Sequence, residues 1–458
     1  MAMMSALKCP QILFVADDVY LNGSCHSDVF NQPDMTNQNF KRHIANPKSV
    51  FILIAKWLSL SLAIGFATGC ASAFFLNTLN WVTNWRESHL WIIALLPLGG
   101  LLIGLAYHYW GDSVVKGNNL LLEELHSPKQ IIPFKMAPLV LFGTLATHLF
   151  GGSAGREGTA VQMGGAIADR LTQWFKLDNF DRQIIIIMGI SAGFASVFGT
   201  PIAGAIFALE VMVIGKLKYN ALLPSFITAY IAHYSCTIWN VTHTHYSIPV
   251  VPAITITNLA YTISVALLFG LAALLFSRSV HFFSSVFKWI KYPPLRPLIG
   301  GVFIALAVYL SGTSKYIGLG IPTIVASFTE AQPPYAFLIK ILLTTFTLGA
   351  GFKGGEVTPL FFIGATLGSA LFLVVPLPMA LLAGMGFVAV FSGATNTPIA
   401  CTLMGIELFG LDCGIYMAIG CTVAYFASGN KGIYSSQVIG GAKSYVYERF
   451  HINKKTRK

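Results

Sequence analysis

Two glycine-rich stretches each carry a carboxylate among small and apolar residues. They are GGSAGREGTAVQMGGAI at 151–167, with Glu157, and GAGFKGGEVTPLFFIGATLG at 349–368, with Glu356. Each reads as a loop running into a helix start. Glycine leaves backbone N–H groups open to a ligand, and a helix N-terminus adds unpaired donors and about half a positive charge. Two or three such ends meeting at one point make an anion site without a full positive charge. That suits transport, because a Lys or Arg would hold the anion too tightly to release it. A carboxylate beside such a site repels anions when ionised. Glu157 can then take the anion's place at the helix ends; protonated, it can swing away and carry a proton. The plainer reading is an ion pair with the adjacent Arg156, or a solvated loop. A charge at membrane depth costs about 2.5–3.5 kcal/mol on insertion scales, so such a residue is seldom idle.

The segments belong to a larger duplication. SAGFASVFGTPIAGAIFALE (191–210) resembles GMGFVAVFSGATNTPIACTLMGIE (384–407); both contain Thr-Pro-Ile-Ala and both place a Glu nine residues after the Pro, at Glu210 and Glu407. Thr159 precedes Pro201 by 42 residues and Thr358 precedes Pro398 by 40. Loops and broken helices recurring in order mark an internal repeat. Breaks at corresponding places in two halves are the mark of a secondary transporter that binds at the repeat interface. Whether the repeats are inverted is not legible from the residues alone. Glu210 and Glu407 are expected to cap helix ends at the cytoplasmic side.

The elements that must position these residues are apolar helices. Of 458 residues, 55% are hydrophobic and only 10% charged, against about 25% charged in an average soluble chain. Too few charges are present to cover a water-soluble body, so one membrane-embedded body is expected. Apolar runs lie at about 50–79, 91–110, 131–150, 184–214, 221–241, 254–278, 297–311, 337–350, 359–375, 380–394, 397–410 and 414–428. Gly and Pro cut many of them, as in LPLGG (96–100), FGTPIAG (198–204) and GATNTPIA (393–400). In lipid, irregular backbone survives only inside protein or beside a cavity.

The net charge of +11 is uneven: residues 443–458 hold six Lys/Arg against one Glu. Lys41, Arg42 and Lys48 form a second basic flank. Such flanks usually face the cytoplasm, so both termini are expected there. No aromatic-basic module accompanies the tail to suggest nucleic acid. The seven cysteines are scattered. Cys401, Cys413 and Cys421 lie in apolar stretches, and no CxxC or Cys/His cluster suggests a metal site; the spacing of His243 and His245 could bind metal, but no acid or Cys lies nearby. His148 reads as a core residue, and His243 and His245 as loop residues. Residues 1–45 read as a disordered tail or as the product of too early a start, with Met35 a plausible alternative. Residues 46–440 form the membrane domain (repeats at about 50–245 and 254–440), and 441–458 a basic cytoplasmic tail.

An ordered set of short motifs resembles a known family, the CLC anion channels and transporters, over roughly residues 50–440. Gly155-Arg156-Glu157-Gly158 resembles the family's GREGP stretch, whose Glu is the external gate and proton acceptor. Gly355-Glu356-Val357-Thr358-Pro359 stands where the family has GxFxP. Gly-Ile-Tyr-Ser at 432–435 resembles the inner-gate segment, which makes Tyr434 the matching Tyr. Lys116-Gly117-Asn118-Asn119 lies where chloride-type members have GSGIP. The resemblance implies an all-α polytopic fold: inverted repeats of tilted and broken helices, in a homodimer with one pathway per subunit.

The departures point within the family. Asn118 replaces the chloride-coordinating Ser, Thr159 the Pro after GREG, and Val357 the Phe of GxFxP. Val211 stands where chloride/proton exchangers carry an internal proton-transfer Glu. Together these changes resemble the bacterial fluoride/proton antiporter branch. Fluoride is small, hard and strongly hydrated, so its pathway must supply close donors. Asn118, Thr358 and Tyr434 offer an amide, a hydroxyl and a phenol, and a protonated Glu157 could donate directly. Glu356 is expected to be a second proton-handling or site-shaping acid, with a dipole-stabilised helix-start acid as its plainer reading. The expected function is export of fluoride in exchange for protons across the cytoplasmic membrane. The alternative is a chloride channel or chloride/proton antiporter. GxxxxGK[ST], HExxH and a nucleophile elbow are missing, so nucleotide binding and intramembrane enzymes are not expected. No cofactor is expected; a structural Na⁺ is left open.

Overall fold

The computed structural model describes residues 47–438, 440 and 443. The N-terminal tail and nearly all of the basic C-terminal tail lie outside the described residues. Contacts divide the chain at Ala55 into a leading unit, helical where described, and a main unit from Lys56 onward. The main unit holds both glycine-rich loops and both TPIA motifs.

Among the described residues there are sixteen α-helices and no strand ladder, only isolated bridges. The first eight are α1 (Pro47–Ser88), α2 (Leu96–Trp110), α3 (Asn118–His126), α4 (Met136–Leu149), α5 (Glu157–Phe175), α6 (Asn179–Phe198), α7 (Pro201–Glu210) and α8 (Leu222–Thr237). The second eight are α9 (Ile256–Phe287), α10 (Leu295–Ser311), α11 (Ile321–Ala326), α12 (Ala336–Gly349), α13 (Val357–Leu371), α14 (Met379–Thr395), α15 (Pro398–Phe409) and α16 (Gly414–Ala427). Long and short elements recur in the same order, about 200 residues apart.

The breaks have local causes. The apolar run 184–214 does not continue as one helix, because α6 ends at Gly199, whose φ is +75°. Thr200 follows, and Pro201 opens α7 at a position where the missing N–H costs nothing. In the second half Asn396, at φ +60°, plays the part of Gly199, and Pro398 opens α15.

α1, α6, α9 and the stretch Leu90–Trp110 are long and apolar enough to cross a membrane. Of the most apolar window of α6, 83% is buried inside the protein, against 44% for α9. α6 is therefore a core helix, and α9 shows half its circumference outward. The close crossings use small residues. A Cβ on Gly364 of α13 would collide with the Gly386 carbonyl of α14; in the first half, one on Gly164 would collide with that of Gly189. Backbone-to-backbone approach of this kind is how helices pack where no water drives them together.

One charged cluster is buried in the first half. Arg182 of α6 makes a fork to Asp169 of α5 (Nε–Oδ1 and Nη2–Oδ2, both 2.8 Å) and reaches Glu124 of α3 through Nη1 at 3.1 Å. Asp169 accepts from Ile132 N–H, and Glu124 from Lys129 and Gln130 N–H. The cluster pins α3 and its following loop to α5 and α6, and so sets where the first residue of α3, Asn118, comes to lie.

Candidate functional site

The site is built where the two glycine-rich loops meet. Gly155 and Gly355 pair as an antiparallel bridge, each donating its N–H to the other's carbonyl, at 2.5 and 2.7 Å. Equivalent residues bonded to each other in this way lie on a local two-fold axis. The bridge also sets the register between halves. Glu157 opens α5 as Val357 opens α13, so Arg156 corresponds to Glu356 and Thr159 to Pro359. Spacing to the TPIA motifs matches Thr159 with Thr358 instead. The acid of each segment is thus a different structural position, and the two are not copies of one another.

Glu157 is buried, and its carboxylate crosses to the other half. Thr358 donates its N–H to Oε2 at 3.0 Å and its hydroxyl to Oε1 at 2.5 Å. The Arg156 N–H adds a third donor at 3.1 Å. The Arg156 guanidinium approaches Oε1 at 3.6 Å, and its Nε makes no hydrogen bond. The adjacent ion pair of the plainer reading is present, but the hydrogen bonds come from Thr358 and the backbone. A carboxylate at the start of α13 satisfies helix N-terminal donors that have no partner within the helix.

Two cavities approach this point. The larger, about 730 Å³, is lined by Arg156 together with Asn80, Asn84, Arg86, Thr244 and Lys315. The smaller, about 160 Å³, is lined by Asn118, Gln162, Lys353, Glu356 and Tyr434. Glu157 lines neither. It stands between Arg156, on the wall of one cavity, and the Thr358–Glu356 turn, whose Glu356 faces the other. Asn118 Oδ1 and Glu356 Oε2 have no hydrogen-bond partner among the described residues.

The Tyr434 segment is tied to both halves. Ile433 N–H donates to Ala394 C=O at 2.9 Å, and the Gln437 amide donates to the Val211 and Thr395 carbonyls at 2.8 and 2.7 Å. Ser436 N–H donates to Asn119 Oδ1 at 3.0 Å, and its hydroxyl to Glu123 at 3.1 Å. Lys443 Nζ and the Gln437 side chain both bond the Asn396 side chain. Tyr434 is therefore fastened to α3 and to the end of α14, beside the smaller cavity.

The other residues singled out in the sequence divide clearly. Gly158 packs its Cα side against Gly355. Thr159 faces away from both cavities, hydrogen-bonded to Thr144 of α4 at 2.6 Å. Val357 is buried at the start of α13. Glu210 and Glu407 cap each other's helices: Glu210 accepts from Ile399 and Ala400 N–H, and Glu407 from Ile202 and Ala203 N–H. His148 is fully buried, with its carbonyl bonded to Arg86. The His243 ring stacks on His233 and lies against Gly199. Among the described residues no group of three His, Cys, Asp or Glu is placed to hold a metal ion. Sequence reasoning passed over Gln162 and Lys353. For Lys353 a signal existed: a cation in an otherwise glycine-rich break at membrane depth is costly.

The comparisons with known proteins agree with this architecture. Residues 99–429 match the family model described as "Voltage gated chloride channel". The chain is 50% identical over 399 residues to the "Chloride/fluoride channel protein" of Pseudomonas syringae pv. tomato, covering 86% of this chain and 88% of that one. It is 26% identical over 386 residues to the "H(+)/Cl(-) exchange transporter ClcA" of Vibrio cholerae, covering 77% of this chain and 81% of that one. Among solved structures it superposes on a CLC-type fluoride/proton antiporter with a TM-score of 0.82 and 37% identity, covering 84% of this chain and 98% of the other. The inverted repeat of broken helices is the fold of those transporters, and this chain belongs to the voltage-gated chloride channel (CLC) family of membrane proteins.

Proposed function

We propose that this protein is a secondary active transporter that exports fluoride in exchange for protons across the cytoplasmic membrane. One observation carries the reading: Glu157 occupies the start of α13 between two cavities, held by the N–H and hydroxyl of Thr358. An ionised carboxylate there fills an anion site and blocks the path. Protonation removes its charge, weakens its hold on Thr358 and frees those donors for fluoride. By family resemblance the larger cavity faces outside and the Tyr434 side faces within. A proton arriving past Arg156 then opens the way for a fluoride leaving past Asn118 and Thr358, and the proton gradient keeps internal fluoride low.

The donors suit the substrate. A small, strongly hydrated ion gives up its water only for close, short-reaching donors, and the Thr358 hydroxyl and N–H both point to the place the Glu157 carboxylate now fills, one at each oxygen. Tyr434 and Asn118 line the cavity through which the ion would approach. Glu356, on the same wall with Oε2 free of any hydrogen bond among the described residues, is the second acid, handling protons or shaping the site. Gly155, Gly158 and Gly355 hold the loops close enough for the Glu157 side chain to reach the other half. A homodimer with one pathway in each subunit, and termini in the cytoplasm, complete the reading by family resemblance. No cofactor is part of it.

A chloride channel or chloride/proton antiporter is the second reading, favoured by the similarity to the Vibrio cholerae H(+)/Cl(-) exchange transporter. Liposomes loaded with fluoride or chloride separate the two when efflux and lumenal pH are followed together. Fluoride efflux much faster than chloride, with lumenal acidification, is expected. Equal chloride flux, or fluoride flux without proton movement, would overturn the fluoride/proton reading.

A further inference from the structure

Lys353 takes no part in holding Glu157. It lies in the loop between α12 and α13 and lines the smaller cavity with Asn118, Glu356 and Tyr434. Its stem runs over Gly143 of α4: a Cβ built on Gly143 would sit 2.9 Å from both Cβ and Cγ of Lys353. Only a glycine leaves that passage open. The ammonium ends 4.0 Å from the centre of the Tyr107 ring on α2, a cation–π contact. Among the described residues Lys353 makes no ion pair.

The duplication is broken at this position. The equivalent residue of the first loop is Ser153, a fully buried fastener whose hydroxyl bonds to Thr344 and to the Tyr316 carbonyl. The second loop has a cation instead, which lines a cavity and meets the face of the Tyr107 ring, with no carboxylate paired to it among the described residues. A side chain needed only to fill this space would be apolar, because charge at membrane depth is costly. The cost is recovered if an anion sits beside the ammonium. The same wall carries Glu356, which would otherwise keep anions out of the cavity, and a cation is what offsets it.

We infer that Lys353 is the anion-loading residue of the smaller cavity: it binds a small inorganic anion on its way to Thr358, and the Tyr107 ring shares its charge so that the anion is released onward. The inference rests on the proposed transport function. It also resolves the objection that a lysine binds too tightly, since this one is tempered by an aromatic face on one side and a carboxylate on the same wall.

The test is fluoride efflux from liposomes holding the full chain, measured against internal fluoride concentration, for wild type, Lys353→Met, Lys353→Arg and Tyr107→Leu. Lys353→Met is expected to raise KM about tenfold while kcat and the proton-to-fluoride ratio stay within about twofold; Lys353→Arg should bring KM back to within about threefold of wild type. Tyr107→Leu, which leaves the ammonium untempered, should lower both KM and kcat. If Lys353→Met does not yield monodisperse protein, Lys353→Gln and Tyr107→Leu carry the test. Wild-type fluoride/proton exchange with an unchanged KM in Lys353→Met, or no recovery in Lys353→Arg, overturns the inference alone. A wild type that moves chloride instead overturns the fluoride reading, and the same KM shift is then read with chloride. A wild type that moves neither ion overturns both.

Discussion

The Glu157 carboxylate caps a helix of the opposite half, accepting the N–H of Thr358 at 3.0 Å and its hydroxyl at 2.5 Å. A neutral amide cannot do this in the same way, because it has one acceptor oxygen and turns donors toward donors. Glu157→Gln should therefore abolish proton-coupled exchange, with lumenal acidification during fluoride efflux falling by at least about a hundredfold. The measurement is lumenal pH in fluoride-loaded liposomes, and coupled flux persisting in both Glu157→Gln and Glu157→Ala would remove Glu157 from the gate.

Thr358 gives its hydroxyl to Glu157, and in the proposed cycle the same hydroxyl serves the ion when Glu157 leaves. Thr358→Val keeps the shape and removes that donor, leaving a buried acceptor short of one bond. A loss of about 1–3 kcal/mol in anion binding is expected, or roughly five- to 150-fold in KM. Thr358→Ser, which restores the hydroxyl, should recover most of it. Flux titrations of the two variants decide; equal loss in both would mean that the methyl, not the hydroxyl, matters.

Asn118 opens α3 with an unpartnered oxygen on the smaller cavity. Asn118→Ser installs the residue of the chloride-type motif and should raise chloride permeation relative to fluoride by about tenfold. Efflux of the two ions from matched liposomes gives the ratio. Unchanged discrimination would move selectivity away from this position.

Arg182 binds two carboxylates, Asp169 and Glu124, in a buried cluster. Arg182→Met fills the volume but leaves both carboxylates without their cation. Removing one partner of a buried pair typically costs about 3–5 kcal/mol, so a marked fall in Tm of the detergent-solubilised protein is expected. Because the cluster anchors α3, residual folded protein should also show weaker fluoride selectivity. A Tm equal to wild type would show that the cluster is not what holds α3.

Much of this was legible in the residues. A charged fraction of 10% leaves too little polar surface for a body in water, so membrane embedding follows from composition. The repeated TPIA, each followed by a Glu, exposed the duplication, and Glu210 and Glu407 indeed serve as reciprocal caps. Gly-Arg-Glu-Gly marked Glu157 as an acid where an acid is expensive. These are local facts: turn chemistry, helix starts and hydrophobic runs depend on neighbours in the chain.

The register between the two glycine-rich loops was not legible. Spacing matched Thr159 with Thr358, whereas the Gly155–Gly355 bridge matches Glu157 with Val357 and turns Thr159 toward Thr144. Nor could the residues show that Lys353 passes over Gly143 to the face of Tyr107, or that Gln437 and Asn396 fasten the Tyr434 segment. A duplicated membrane protein with costly acids at its helix breaks follows from residue types and their spacing along the chain. Which acid meets which helix end follows from the fold, because that depends on backbone groups 200 residues apart closing on one axis, and a one-residue change of register there would put a different side chain at the start of α13.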